Sequence, residues 1–309
     1  MSSATTPSPV CPELEELIGL RNSISRIALS SGKIKSNRIG MHQSRIKGRG
    51  MAFEESRPYQ PGDDMRNFDW NVTARTGKPF TKVFSEEKER PVIFWMDYRQ
   101  PMFFATRGQF KSALATRAAA LLTWAALREH DRVGGLLFNE SQHHELRPVG
   151  GHKAALHLLN QMQRFSRFDQ QRPLYDSNLQ QQAVEQALMR LRKAVHPGSL
   201  VFLLSDFRLF NGQHEKHLTS LSRHNQLIFL PISDPFESQL PPAGQYPVMN
   251  SGQRFSLDTS HKKTRQHYHD IWQQQRLQLD DLITRCRGLR IDLSTQDDIE
   301  TRLSEALGK

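Results

Sequence analysis

The residues best equipped for chemistry lie between Tyr59 and Arg75. Asp63, Asp64 and Asp69 place three carboxylates in a short span, Arg66 and Arg75 add two guanidiniums, and Phe68 and Trp70 stand among them. Neighbouring carboxylates can divide the roles of general acid and general base, so this density admits a hydrolase. The same groups can instead satisfy one another, because charge-assisted hydrogen bonds between carboxylate and guanidinium clamp a turn. The stretch opens with Gln60-Pro61-Gly62-Asp63. Proline fixes φ at the second position and glycine accepts positive φ at the third, which makes a type II turn. The structural reading is preferred, so no catalytic residue is assigned.

A second candidate site depends on where strands end. Val92–Met96 is a continuous apolar run closed by Asp97, and Leu200–Leu204 is another, followed by Ser205 and Asp206. Such runs suit strands buried on both faces. In an open α/β sheet, ligands sit beyond the carboxyl ends of the strands. Asp97 and Asp206 are expected side by side there, and two carboxylates that close repel unless a cation intervenes. Arg99 is permanently charged and carries a planar fork that can bridge both.

Other candidates are weaker. His214 and His217 have metal-ligand spacing but sit on a polar helix without further ligands, so an exposed helix face is expected. His143 and His144 point to opposite faces of a strand. Gly48-Arg49-Gly50 lacks both the preceding strand and the third glycine of a dinucleotide fingerprint. No P-loop and no nucleophile elbow occurs. Cys11 and Cys286 are too few for a disulfide framework and suggest a reducing, cytoplasmic setting.

The elements that must position these residues follow from pattern. A Ser-, Thr- and Pro-rich tail precedes Pro12, which opens a helix with acids in its first turn and an apolar stripe from Leu14 to Ala28. Residues 1–39 thus form a tail, an amphipathic helix and a basic arm. Residues 40–90 read as a β-rich extension carrying the aspartate turn. Residues 91–309 alternate strands with helices, the pattern of an α/β domain with a mainly parallel sheet and helices on both faces. A Pro-rich insertion at about 237–258 contains a hairpin turn at Asn250-Ser251-Gly252.

Composition narrows the partners. A mean hydropathy of −0.61 and the lack of a long uncharged apolar stretch exclude a transmembrane helix. The N-terminal residues lack a secretory pattern. The net charge of +10 is concentrated in residues 17–53, which include Arg38, Arg45, Lys47 and Arg49 and no acid. That segment suits an acidic protein face, anionic lipid or nucleic acid. Nucleic acid is the less favoured partner, because aromatic residues for base stacking are scarce there.

The run Arg57, Tyr59, Gly62, Asp63, Asp64, Arg66, Asp69, Trp70, Ala74 and Arg75 resembles the signature of domain-of-unknown-function family 58. The resemblance extends upstream through Gly40, His42, Ser44, Gly48, Gly50 and Phe53. Downstream it runs through Phe84, Glu87, Asp97, Lys111 and Asp131-Arg132-Val133-Gly134. It implies a von Willebrand factor A-like domain, and an association with MoxR-type AAA+ ATPases and other von Willebrand A-domain proteins. Domains of that type hold a divalent cation through Asp-x-Ser-x-Ser, a later threonine and an aspartate. Here Arg99 and Pro101 stand where both hydroxyls belong, Asp97 and Asp206 match, and Ser177 or Asp176 is the stand-in for the threonine. The expectation is a degenerate site with no metal and no cofactor, in a non-enzymatic adaptor that works with such an ATPase in protein or complex remodelling. A hydrolase using Asp63, Asp64 and Asp69, or nucleic-acid binding through the basic segment, are the alternatives.

Overall fold

The computed structural model describes residues 8–29, 51–86, 89–168, 176–208, 210, 212–250 and 253–308. The basic arm with Arg38, Arg45, Lys47 and Arg49 lies outside them. The chain divides into two compact units, one formed by residues 1–39 and 90–309, the other by residues 40–89.

The larger unit is mixed α/β. Its sheet contains β3 (Pro91–Asp97), β4 (Arg132–Phe138), β5 (His143–Val149), β6 (Leu200–Ser205), β7 (Gln226–Ser233) and β10 (Leu289–Arg290), in the order β10-β7-β6-β3-β4-β5. A short β11 (Leu293–Ser294) also pairs with β7. All these pairings are parallel except β4 with β5. The central strands are buried on both faces, so their continuous apolar runs need no polar alternation. Successive residues of β3 still face opposite sides. Val92, Phe94 and Met96 join one apolar cluster, while Ile93 and Trp95 join the other. The first lies under α3 (Lys111–Arg128), α4 (His152–Ser166) and α9 (Ile299–Leu307). The second lies under α5 (Ser177–Ala194), α6 (Gly212–Ser222) and the end of α8 (Lys262–Arg285).

Helix α3 is buried along nearly its whole length because alanine fills much of its surface and lets neighbours approach on every side. One neighbour is the N-terminal segment. Here the expected single helix is instead α1 (Leu14–Gly19) followed by a 3₁₀ stretch, Leu20–Arg26. Gly19, Asn22, Ser23 and Ser25 are weak helix formers, so packing rather than propensity sets the backbone there. Leu17, Ile24 and Ile27 are buried, and the Trp124 indole N–H donates to the Leu17 carbonyl at 2.9 Å. Arg117, which interrupts the apolar run of α3, pairs with Glu16 at 2.5 Å.

The smaller unit is built on an antiparallel hairpin of β1 (Met51–Pro58) and β2 (Phe80–Glu86), with a bulge between Phe53 and Glu55. Between the strands come a 3₁₀ turn, Met65–Asn67, and a helix, α2 (Trp70–Thr76). The helix corrects the expectation of strands and turns alone. Asp69 caps its start, and Gly77, at φ 69°, supplies the left-handed residue that ends it. In the insertion, β8 (Gln245–Asn250) and β9 (Gln253–Asp258) form the expected hairpin; the turn residues Ser251 and Gly252 lie outside the described residues. It is preceded by a short α7 (Pro235–Ser238).

At Gly134 the backbone of β5 lies close against β4. A Cβ there would meet the Leu146 carbonyl oxygen at 2.5 Å and the Pro148 nitrogen at 2.7 Å, both backbone atoms that cannot rotate away. Gly134→Ala is expected to cost about 1–3 kcal/mol, the usual range for an overpacked core. A denaturation midpoint unchanged from wild type would refute this account of the strand pair.

Candidate functional site

The aspartates of the smaller unit are absorbed by its backbone. Gly62 has φ 105° and the Asp63 N–H donates to the Gln60 carbonyl at 3.0 Å, closing the expected turn. Asp63 accepts from the Gln60 N–H and pairs with Arg57 at 2.7 Å; these bonds lower its pKa. Asp64 accepts from the Arg66 N–H at 3.0 Å, capping the 3₁₀ turn. Asp69 is buried, and its pKa is lowered first by the Ser56 hydroxyl, which donates at 2.5 Å, and by the Val72 N–H that it caps. The clamp therefore differs from the one expected. Arg57 is the paired arginine, whereas Arg66 and Arg75 are exposed. Tyr59 and Phe68 rings pack at 5.6 Å, and Phe68 packs on Trp70 at 4.9 Å, with Trp70 still 68% exposed.

In the larger unit, β3 and β6 are hydrogen-bonded neighbours, so their carboxyl ends deliver Asp97 and Asp206 to one edge. Arg99 is 1% exposed and lies between them. Its Nε is 2.9 Å from Asp97 Oδ1, its Nη2 is 2.6 Å from Asp97 Oδ2, and the same Nη2 is 3.7 Å from Asp206 Oδ1. Burial works against the guanidinium charge, but Asp97 first and Asp206 after it reverse the balance and raise the Arg99 pKa. Lys111, the first residue of α3, is fully buried. Its Nζ lies 3.2 Å from Asp206 and 2.7 Å from Glu237. Arg208 returns from Glu237, at 3.0 Å, to Asp206, at 3.9 Å. Asp97, Arg99, Asp206, Lys111, Glu237 and Arg208 thus form one linked set of alternating charge. Burial alone would raise the Asp206 pKa. The Lys111, Arg99 and Arg208 charges outweigh it and bring the value down to about 2.

Asp97 has no capacity left. It accepts from the Arg99 N–H at 3.0 Å, from the Arg99 guanidinium through both oxygens, and from the Ser205 hydroxyl at 2.6 Å. A carboxylate offers about four lone-pair positions. A divalent cation wants such oxygens for itself, so the residues present do not fit one without displacing Arg99. Ser205 also accepts from the Phe207 N–H at 3.0 Å and helps hold Phe207 in a left-handed conformation, φ 53°.

Three comparisons bear on this arrangement. The model of the family described as "Protein of unknown function DUF58" matches residues 55–278. The chain belongs to that family. Two relatives, the uncharacterized proteins Mb1516 of Mycobacterium bovis and Rv1480 of Mycobacterium tuberculosis, are each 28% identical over 71% of this chain and 68% of their own. Among solved structures, BatB from Bacteroides thetaiotaomicron overlaps 70% of this chain and 96% of its own at 15% identity and a TM-score of 0.45. An aerotolerance-related membrane protein from Bacteroides fragilis overlaps to the same extent at 14% identity and the same score. Overlaps at that level establish neither a shared fold nor a shared activity.

The DUF58 match spans both the aspartate turn and the charged set, yet several members of the set escape local patterns. Ser177 is exposed on the first turn of α5, where Asp176 caps the helix. The residue of α5 that reaches Arg99 is Gln180, whose carbonyl accepts from Nη1 at 3.4 Å. Lys111 left one signal: a cation at a helix N-terminus, where the dipole disfavours it, ahead of an apolar run. His214 corrects the expected exposed face. It is 1% exposed, its ring lies 3.3 Å from Glu185, and burial lowers its pKa; His217 meets the same carboxylate at 2.7 Å. Among the described residues, no three metal-ligating side chains converge, and no helix is long and apolar enough to cross a membrane.

Two measurements test this picture. Asp69→Ala, which removes a buried helix cap, is expected to lower Tm, while Arg66→Ala leaves it near wild type; equal losses would restore Arg66 to the clamp. Because the Asp206 pKa falls from 3.8 to about 2 on folding, its contribution is complete above pH 4 and disappears as pH drops toward 2. Asp206→Asn is expected to cost about 3–5 kcal/mol at neutral pH and to flatten the stability profile between pH 4 and pH 2. An unaltered profile in that window would remove Asp206 as its source.

Proposed function

We propose that this chain is a non-catalytic, protein-binding adaptor whose larger unit is von Willebrand A-like, with an internal arginine in place of the metal. The reading rests on one observation: Arg99 saturates Asp97 and reaches Asp206 from within the chain. In a metal-dependent domain, a partner completes the coordination of the ion, and binding follows metal supply. Here the edge of the sheet is charge-neutralised before any partner arrives, so it serves as a fixed surface.

Three further observations favour binding over catalysis. The carboxylates Asp63, Asp64 and Asp69 are committed to turn and caps, which leaves the hydrolase alternative without a free acid–base pair. The cleft beside Asp206, Arg208 and Glu237 holds only about 70 Å³, against roughly 300–1,000 Å³ for small-molecule sites. A wider cleft of about 510 Å³ is lined by Asp292, Asp297 and Asp298, which are engaged by Arg276 and Arg290, by the Ser294 N–H and by the Thr301 hydroxyl respectively. A MoxR-type AAA+ ATPase is the proposed partner, as the family resemblance implies, in a cytoplasmic setting.

Isothermal titration with magnesium tests the reading. The unmodified chain is expected to show no saturable binding, and the double substitution Arg99→Ser, Pro101→Ser is expected to gain it, because the freed carboxylates then need a cation. Tight magnesium binding by the unmodified chain, abolished by Asp97→Ala, would sink the proposal. Co-purification from native cells with a AAA+ ATPase that survives chelation is the expected result for the partner.

A further inference from the structure

The linked set of charges cancels internally: Asp97, Asp206 and Glu237 against Arg99, Lys111 and Arg208. Glu140, just past the end of β4, stands outside it. Its Oε1 accepts from the backbone N–H of Gln100 and from Gln180 Nε2, the latter at 2.5 Å. Those two donors come from the loop after β3 and from α5, so three segments converge on one carboxylate. No lysine, arginine or histidine among the described residues comes within 4.0 Å of Glu140 to form an ion pair, and its second oxygen accepts no hydrogen bond from them.

The side chains of both residues that hold Glu140, Gln180 through its carboxamide and Gln100 through its backbone N–H, are themselves incomplete. Gln180 is 1% exposed, and its Oε1 has no hydrogen-bond partner; the Oε1 of Gln100 is also buried without one. Buried acceptors are nearly always satisfied, and leaving one bare costs about 1–3 kcal/mol. Glu140, which has no ion pair within 4.0 Å among the described residues, and these two amide oxygens are thus acceptors with spare capacity. A cation that donates several hydrogen bonds suits such acceptors. An ammonium offers three N–H donors and one positive charge. Magnesium fits less well, because it would bring two positive charges next to Arg99, whose guanidinium already lies in the field of Glu140.

Building on the adaptor reading, we propose that Glu140, framed by Gln100 and Gln180, is the recognition point of this surface and takes a lysine side chain of the partner protein. The saturated ring beneath keeps the surface rigid, and Glu140 supplies the charge that selects. An acidic partner residue is rejected at this point, whereas a basic one is drawn in.

The probe is N-acetyl-lysine methylamide, titrated into the full-length ¹⁵N-labelled chain while the side-chain amide signals of Gln180 are followed. They are expected to shift saturably with this probe and not with its norleucine counterpart, which has the same aliphatic stem but no ammonium. Glu140→Gln keeps an oxygen for both donors and is expected to abolish the shift while the rest of the spectrum stays in place. Glu140→Lys is expected to transfer the response to N-acetyl-glutamate methylamide. Equal responses to lysine and norleucine, a response to magnesium instead, or a lysine response retained in Glu140→Gln each overturn the inference. An unmodified chain that binds magnesium tightly overturns the adaptor reading as well. A metal-independent chain whose Gln180 signals ignore lysine overturns the lysine site alone.

Discussion

Two carboxylates at the ends of adjacent parallel strands must be neutralised, and much of the larger unit is arranged around that requirement. Met96 and Leu204 pair where β3 and β6 end, which brings Asp97 and Asp206 just beyond them to one edge. With water excluded, two like charges this close repel unless a cation stands between them. Arg99 answers part of the need from the same loop as Asp97. Lys111 answers the rest, but at a cost, since it puts a buried cation at the N-terminus of α3, where the dipole opposes it. Glu237 offsets that cost and in turn requires α7. There Asp234 and Glu237 form a capping box, while Asp234 also accepts from the Thr106 and Thr295 hydroxyls. One electrostatic problem thus fixes the loops after β3, β6 and β7 together.

The smaller unit solves a comparable problem differently. Its aspartates are not neutralised mainly by arginines. Asp64 and Asp69 each give an oxygen to an N–H group at a helix start, Asp69 gives its other to the Ser56 hydroxyl, and Asp63 spends one on the turn and one on Arg57. Backbone donors at a helix start are unpaired in any sequence, so a carboxylate there stabilises without needing a distant partner. This explains how so many acids fit in one short segment.

The contrast also explains what could be read in advance. The strands were legible because Val92–Met96 and Leu200–Leu204 are unbroken apolar runs closed by aspartates, and the turn because Pro61-Gly62 admits few conformations. Arg99 was legible since it lies two residues from Asp97 on a loop whose position the strand dictates. Lys111 and Glu237 are separated by 126 positions, and no local pattern announces such a meeting. Gln180 carries no local signal, because its contact with Arg99 is made by a backbone carbonyl, a group that every residue has. Helix α2 carries signals in Asp69 and Gly77, but at seven residues it is too short to show a helical period. His214 looked exposed because its helix is polar in sequence; its burial comes from α5, which no helix-local pattern includes.

The docking of the N-terminal segment on α3 has a consequence for synthesis. The Ala28 N–H donates to the carbonyl of Leu307 in α9, and Leu17, Ile24 and Ile27 share one apolar cluster with Leu303 and Leu307. These side chains leave the ribosome well before α9, which makes part of their final resting place. At typical elongation rates of about 5–20 residues per second, they wait on the order of fifteen seconds or more for α9. During that interval a nascent chain carries bare leucine and isoleucine beside a strongly basic stretch, a combination that holdase chaperones and polyanionic surfaces both attract. The order in which this fold is delivered therefore leaves Leu17, Ile24 and Ile27 without part of their cover until α9 has been made.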